Sequence, residues 1–589
     1  MTSSRILAQE LSRRKFIRTT AFAGLGSAFA GAIGCSDTNS NENTAGQAYT
    51  PKFPYNMVFN SDVCNSATLY SSYNTAPSQA YSAATIRGSV AETAKYGAQC
   101  HMFSPNTCFV PWWQSKVYPL LTHVNWVIAN YGNTLSSFDP ITQWVLQGND
   151  LVQTYITACR LNNMAAFVSF RMNDVQLCAN ALNFGTPLPA YQPVGFNNLY
   201  AQHPEYCLGG VGTNLSVYAN AAQDWTIPAV VAYKLSLVQE LCSAPYDLDG
   251  FELDFVRETY YFNQTNTTLS QRQSIISAFI AQVRATLSAR TDRYRYLSLR
   301  VPCDTNVCNE IGINLAALSS LGVDMITVSP SYFTLQASGF AAIKAAVGSL
   351  PTTLEMTNND QGGYMLTTSN PIVYSSKTTY RRTTYQQLYT TACVGYAQGA
   401  TGMSLFNFAY YRNNVNQNGG DGPYSDPPLD AMTILKDPTA VATQPQHYFN
   451  AGSAGIMTSS EIPVVVTVNK SFNLDFTLQA PTGGWKNGGV FRLECGFNDE
   501  GDAPYTFTGT TWQVSLTNSA NPNGVTLAST TNISEPYASI WTQFLGSSNQ
   551  ILAWSVPANL LVTGTNTFVC TCTLLPQYLR ITYTDLAVS

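Results

Sequence analysis

At 589 residues and 45% hydrophobic content, the chain is long enough for two or three domains and a sizeable core. Only 11% of its residues are charged, against about 25% in ordinary soluble proteins. Asn, Thr, Ser, Gln and Tyr fill the gap, a surface common in exported proteins, and a net charge of −5 with no basic run past the N-terminus argues against a nucleic-acid partner.

Residues 1–35 read as an address and not as part of the fold. Ser12-Arg13-Arg14-Lys15-Phe16-Ile17 has the form of a bacterial twin-arginine signal. The apolar segment 20–33 that follows is short of the ~20 residues a membrane span needs. Ala32-Ile33-Gly34-Cys35 resembles a lipobox, with Cys35 as the lipidated residue and the membrane as partner through that anchor. Cleavage after Ala28-Phe29-Ala30 is the alternative, and would leave no anchor. Residues 36–51 are polar and form a flexible tether. Export by this route leads to the periplasm or the outer-membrane surface. Of the 14 cysteines, some are then expected to be oxidised. The four histidines (His101, His123, His203, His447) are too scattered for a zinc site, and no cofactor is expected.

Over 52–440, short apolar runs alternate with helical patterns. Strands are expected at 57–59, 98–103, 165–170, 250–255, 296–301, 325–328, 353–356 and 402–406. Helices are expected at 83–96, 140–162, 229–242, 270–288 and 384–398. Eight such alternations predict an α/β (β/α)8 TIM barrel, with long insertions at 104–139 and 171–228. A linker is placed at 441–458. Over 459–589, alternating runs at 464–468, 472–478, 490–495, 511–516, 552–556, 567–573 and 579–588 predict an antiparallel β-sandwich. Trp485, Trp512, Trp541 and Trp554 within it offer a sugar-stacking platform or, more commonly, core packing.

The chemistry concentrates in Tyr246-Asp247-Leu248-Asp249-Gly250-Phe251-Glu252-Leu253-Asp254-Phe255-Val256-Arg257. Glu252 and Asp254, two residues apart on a strand, share one face, and Phe251, Leu253 and Phe255 take the other. Buried acids are costly unless paired, hydrogen-bonded or functional. At the exit of a barrel strand they point toward a reaction cleft. Polar residues stand at most other strand exits. They are Asp62, His101, Arg171, Asn173 and Asp174, Arg257, Arg300 and Asp304, Ser329 and Tyr332, Glu355, and Asn407 and Tyr410. That distribution suits a saccharide, whose hydroxyls want paired donors and acceptors. Caps and ion pairs are the structural alternative for each of them. Glycosidic hydrolysis needs two carboxyl groups, one as acid and one as nucleophile or base. The expected catalytic set is Glu252, Asp254 and Glu355, with Glu252 or Asp254 as acid/base and Glu355 as nucleophile. Asp62, His101, Arg171, Asp174, His203, Arg257, Arg300, Tyr332 and Asn407 form the expected substrate-binding set, in which Arg171 or Arg257 would hold an acid ionised or bind an anionic sugar group.

The segment 246–262 resembles the fourth-strand motif of glycoside-hydrolase-like barrel proteins common in planctomycetes. Ser169-Phe170-Arg171-Met172-Asn173-Asp174, His203-Pro204-Glu205-Tyr206, Leu299-Arg300-Val301-Pro302 and Leu405-Phe406-Asn407 are similar to their other motifs, and 556–587 to the sandwich that ends them. The resemblance implies a carbohydrate-active barrel with an accessory sandwich, acting on a polysaccharide or oligosaccharide. Asp249–Val256 is also similar to the acidic strand of chitinase-like hydrolases. Val256 stands where their catalytic acid belongs, which argues against substrate-assisted catalysis of that type. A polysaccharide lyase, using a base and a neutraliser such as His101, His203, Tyr332, Arg171 or Arg257, and a non-catalytic glycan-binding lipoprotein are the alternatives.

Overall fold

The computed structural model describes residues 53–61, 82–175, 197–214, 217–331, 333–336, 339–366, 374–406, 408, 428–451, 462–495, 506–533 and 550–589, with backbone alone over 361–382. Asp62, Tyr332, Asn407, Tyr410, Trp541 and the signal with Cys35 lie outside the described residues.

Eight parallel strands close into a barrel. They are β1 (Met57–Ser61), β2 (Cys100–Phe103), β3 (Ala165–Arg171), β4 (Gly250–Asp254), β5 (Tyr296–Pro302), β6 (Met325–Ser329), β7 (Thr352–Met356) and β8 (Gly402–Phe406). Each strand pairs with its neighbours in chain order, and β8 closes on β1. Their outward side chains, among them Phe251, Leu253, Leu297, Leu299 and Val328, join the large apolar layer under the helices. The inner residues build layers. At the N-terminal end Tyr55, Val58, Cys100, Met102, Ala165, Phe167 and Met325 form a small apolar plug. Gly250 belongs there by necessity: a Cβ at this position would lie 2.2 Å from the Phe167 ring and 2.6 Å from the Tyr296 carbonyl oxygen.

The expected helix over 140–162 is two helices, Pro140–Leu146 and Leu151–Leu161. Gly148 turns between them at φ +95°, and Asp139 and Asp150 cap the two N-termini by accepting from Thr142 N and Gln153 N. An antiparallel hairpin, Asn359–Leu366 with Tyr374–Arg382, follows β7. Its polar, glycine-rich first strand has no apolar period to read. The helices most used below are α1 (Ala83–Lys95), α2 (Pro228–Cys242), α3 (Leu269–Ser288) and α4 (Tyr385–Ala397).

The C-terminal region has a six-stranded and a four-stranded antiparallel sheet around a second core that includes Leu474, Phe476, Phe491, Leu493, Trp554 and Phe568. In the larger sheet, β9 (Gln446–Ala451) pairs with the strand Arg580–Val588, which pairs with the strand Gly489–Cys495. The 441–458 stretch is therefore not a linker where it is described: residues 446–451 are a buried strand. All six face packed structure, so alternation, the signal by which a strand is read, is absent. The three described sandwich tryptophans behave as packing. Trp554 is buried, and Trp485 and Trp512 lie against the core. Trp485 Nε1 donates to Gln446 Oε1.

The sandwich is joined to the barrel by buried polar side chains. Arg492 binds Asp585 through Nε at 2.9 Å and through Nη2, and His447 Nε2 lies 3.1 Å from the same carboxylate. His447 Nδ1 is 3.1 Å from Thr384 Oγ1, the N-cap of α4. Nearby, Tyr583 OH donates to Asp360 Oδ2 at 2.9 Å and accepts from Gln387 Nε2 at 2.7 Å. The eleven described cysteines are all buried.

Candidate active site

The period of two along β4 sends Glu252 and Asp254 into the barrel, at different depths. Glu252 occupies a middle layer made polar by small hydroxyls on neighbouring strands. Its Oε1 accepts from Asn60 Nδ2 (3.0 Å) and Ser169 Oγ (2.7 Å), and its Oε2 from Ser298 Oγ (3.1 Å) and Thr327 Oγ1 (3.3 Å). It is fully buried. Burial and then the charge of Asp254 push its pKa up to about 7.

One layer nearer the strand exits, Arg300 joins two carboxylates. Its Nη1 reaches both oxygens of Asp254 at 3.0 Å. Its Nε lies 3.0 and 3.1 Å from the two oxygens of Glu355, and Nη2 is 2.5 Å from Oε1. Ser329 Oγ and Ser404 Oγ complete the Glu355 shell at 2.6 and 3.3 Å. Asp254 Oδ1 also accepts from Val256 N at 2.9 Å. The Phe406 ring covers the guanidinium, 4.2 Å from Cζ to centroid. Burial alone would lower the pKa of Arg300; Asp254 and Glu355 outweigh it and hold it above its ordinary value. Burial raises the pKa of Glu355, with Arg300 opposing and only partly offsetting it. The Glu355 side chain has no exposed surface, while that of Asp254 keeps 5%. Asp254 is thus the outermost of the three expected catalytic acids.

A second ion cluster adjoins this one through β3, where Arg171 is level with Asp254. Arg171 Nη1 binds Asp174 Oδ2 at 2.8 Å, Cys108 N donates to the same oxygen at 3.2 Å, and Arg257 Nε is 3.9 Å from Oδ1. Burial would raise the Asp174 pKa; Arg171 and Arg257 overcome it and leave it lowered. Arg171, Asp174, Arg257, Arg300, Asp254 and Glu355 are therefore gathered at one end of the barrel.

Three other expected residues are not. His101 faces outward from β2 and is sandwiched against α1. Its Nε2 lies 3.1 Å from Ser61 Oγ, its Nδ1 lies 3.3 Å from Thr93 Oγ1, and it packs on Phe59 and Tyr155. Burial lowers its pKa to about 3, so it is a neutral packing residue and no base. His203 is 39% exposed on a loop, paired with Glu205 and stacked on Tyr206. Asp304 caps the short helix Thr305–Glu310 by accepting from Asn306 N. Sequence reasoning missed Asn60, Ser169, Ser298, Thr327 and Ser404. The available signal was a lone hydroxyl or amide at an inward position of an apolar strand.

No family model and no curated protein matches the sequence. Among solved structures, the chain is similar to an alpha-L-fucosidase from Vibrio sp. strain EJY3, with 10% identity, coverage of 88% of each chain and a TM-score of 0.34. It is similar to the Thermotoga maritima alpha-fucosidase, with 12% identity, coverage of 85% of this chain and 81% of that one, and a TM-score of 0.30. It is similar also to a chitinase from Chromobacterium violaceum, with 12% identity, coverage of 62% of this chain and 99% of that one, and a TM-score of 0.29. Scores this low carry no argument about activity. The barrel and the sandwich stand on their own strand pairing.

Proposed function

We propose that the protein is an exported glycoside hydrolase, lipid-anchored at Cys35, that acts on a complex polysaccharide. The observation that carries this reading is the Asp254–Arg300–Glu355 bridge at the C-terminal ends of the barrel strands. It places two carboxyl groups on one guanidinium, close enough to serve one glycosidic bond. Asp254, with 5% of its side chain exposed against none for Glu355, is assigned as the nucleophile or base. Glu355, whose proton affinity burial raises, is the proton-holding partner. These roles reverse the expectation that Glu355 attacks. Glu252, one layer deeper and enclosed by four hydrogen-bond donors, supports the pair from below and does not touch substrate. A lyase has less support, because His101 is outside the site.

The second reading, a non-catalytic glycan-binding barrel, is favoured by one observation: Glu355 has every oxygen engaged and no exposed surface. A screen of residues 36–589 on plant and marine polysaccharides, reading reducing ends and ultraviolet absorbance, separates the two. New reducing ends without absorbance, lost in Asp254→Asn and Glu355→Gln, support the hydrolase. Absorbance indicates a lyase. Binding without product, unchanged in both variants, indicates a receptor.

A further inference from the structure

After β2 the chain folds into a tight hairpin at the barrel mouth, Asn106–Thr107 against Val110–Pro111. The two-residue turn is Cys108–Phe109, with φ of 45° and 64°. Such a turn ordinarily takes Asn and Gly, because left-handed backbone is unfavourable for a side chain like Phe. Here it is locked in place. Cys108 N is bound by Asp174, and Lys234 Nζ lies 3.5 Å from the centroid of the Phe109 ring. Strain held this firmly points to a segment whose position matters.

On this hairpin Asn106 is completely buried, and neither its Nδ2 nor its Oδ1 has a hydrogen-bond partner. Its backbone carbonyl accepts from Ser104 Oγ at 3.5 Å. An amide withdrawn from water with both atoms unpaired costs free energy that a folded protein rarely leaves uncompensated. The hairpin is fastened to Asp174, which binds Arg171, and Arg171 is level with Asp254.

We propose that Asn106 is a ligand-contacting residue of the barrel mouth, its amide bonding to hydroxyls of a neutral sugar. An amide offers both donors and an acceptor, the complement of adjacent hydroxyls. Neutrality follows from the cations at this end of the barrel, which already have partners. Arg171 and Arg257 face Asp174, Arg300 faces Asp254 and Glu355, and Lys234 donates to Met172 O and Gln223 Oε1. A uronate or sulfate would have to compete with Asp174, Asp254 or Glu355 for an arginine, or with Met172 O and Gln223 Oε1 for Lys234. The class of ligand rests on the carbohydrate reading above.

The test is the thermal shift of residues 36–589 with glucose, galactose, mannose, xylose and fucose, beside glucuronate and galacturonate. Wild type, Asn106→Leu and Asn106→Ala are compared, the alanine variant covering the case in which leucine is too bulky to fold. The sugar-free midpoint of the variants is expected at or above that of wild type, because the unpaired amide is gone. At least one neutral sugar stabilises wild type, and its apparent affinity falls tenfold or more in the variants. The inference is overturned if the variants lose stability but keep the sugar shift, which is the signature of an amide bound to a structural water. It is equally overturned if no sugar, or only the uronates, stabilises wild type. Neutral sugar binding through Asn106, with no polysaccharide cleaved, would sink the hydrolase reading and leave this one standing.

Discussion

The protein holds two buried carboxylate–arginine clusters of nearly the same chemistry, and they do different work. At the barrel mouth, Arg300 serves Asp254 and Glu355. At the junction, Arg492 and His447 serve Asp585. At the mouth two acids share one guanidinium, and a third, Glu252, lies beneath. At the junction one acid is matched by an arginine and a histidine. Burial of a charged group is common to both, so burial alone does not mark a functional site. What differs is position at the strand exits and the incomplete neutralisation of the acids.

The largest effect should come from the outermost acid. If Asp254 reacts with substrate, Asp254→Asn lowers kcat by about 10³-fold or more while leaving the fold intact by circular dichroism. A residual rate near wild type would remove it from the mechanism. At the junction the effect should fall on stability. Arg492→Ala leaves Asp585 buried without its main partner and is expected to cost roughly 3–5 kcal/mol in denaturant unfolding. Arg492 holds the Asp585 pKa below its ordinary value, against the opposing pull of burial. The wild-type contribution is therefore present at neutral pH and fades on acidification. An unchanged midpoint in Arg492→Ala would mean the junction is slack.

Glu252 carries the opposite sign. Its folded pKa is raised from 4.5 to about 7, so the native state binds the extra proton and stability falls as pH rises through that window. Glu252→Gln should abolish that slope and gain roughly 3 kcal/mol over wild type above pH 8. Parallel pH–stability curves for the two proteins would disprove the buried neutral acid. The smallest effect is assigned to Tyr583→Phe, which removes the hydroxyl between Asp360 and Gln387. A loss of about 1 kcal/mol with unchanged kcat is expected. A fall in kcat would tie the sandwich to catalysis.

Much of this was legible along the chain. Every barrel strand was located within a few residues, because a short apolar run between helical patterns is a local signal. Seven sandwich strands were located by alternation. The face shared by Glu252 and Asp254 followed from the strand period alone. His101 was misplaced because Cys100–Phe103 is buried on both faces, so nothing in four residues says which pair points inward. Strand β9, buried along its whole length, carries no alternation for the same reason.

The sequence by itself determined that eight strands and their helices alternate, that an antiparallel region follows, and that acids stand at the fourth and seventh strand exits. These are matters of period and neighbour, and no distant contact is needed to establish them. Only the tertiary structure decided that Arg300 of β5 would bind acids from β4 and β7, and that Arg171 and Arg257 would face Asp174. It also left Asn106 unpartnered. Those outcomes depend on barrel closure, which brings residues 46 and 55 positions apart onto one guanidinium. The spacing along the chain carries no record of that approach, because stagger between strands, and not sequence separation, sets which inward side chains share a layer.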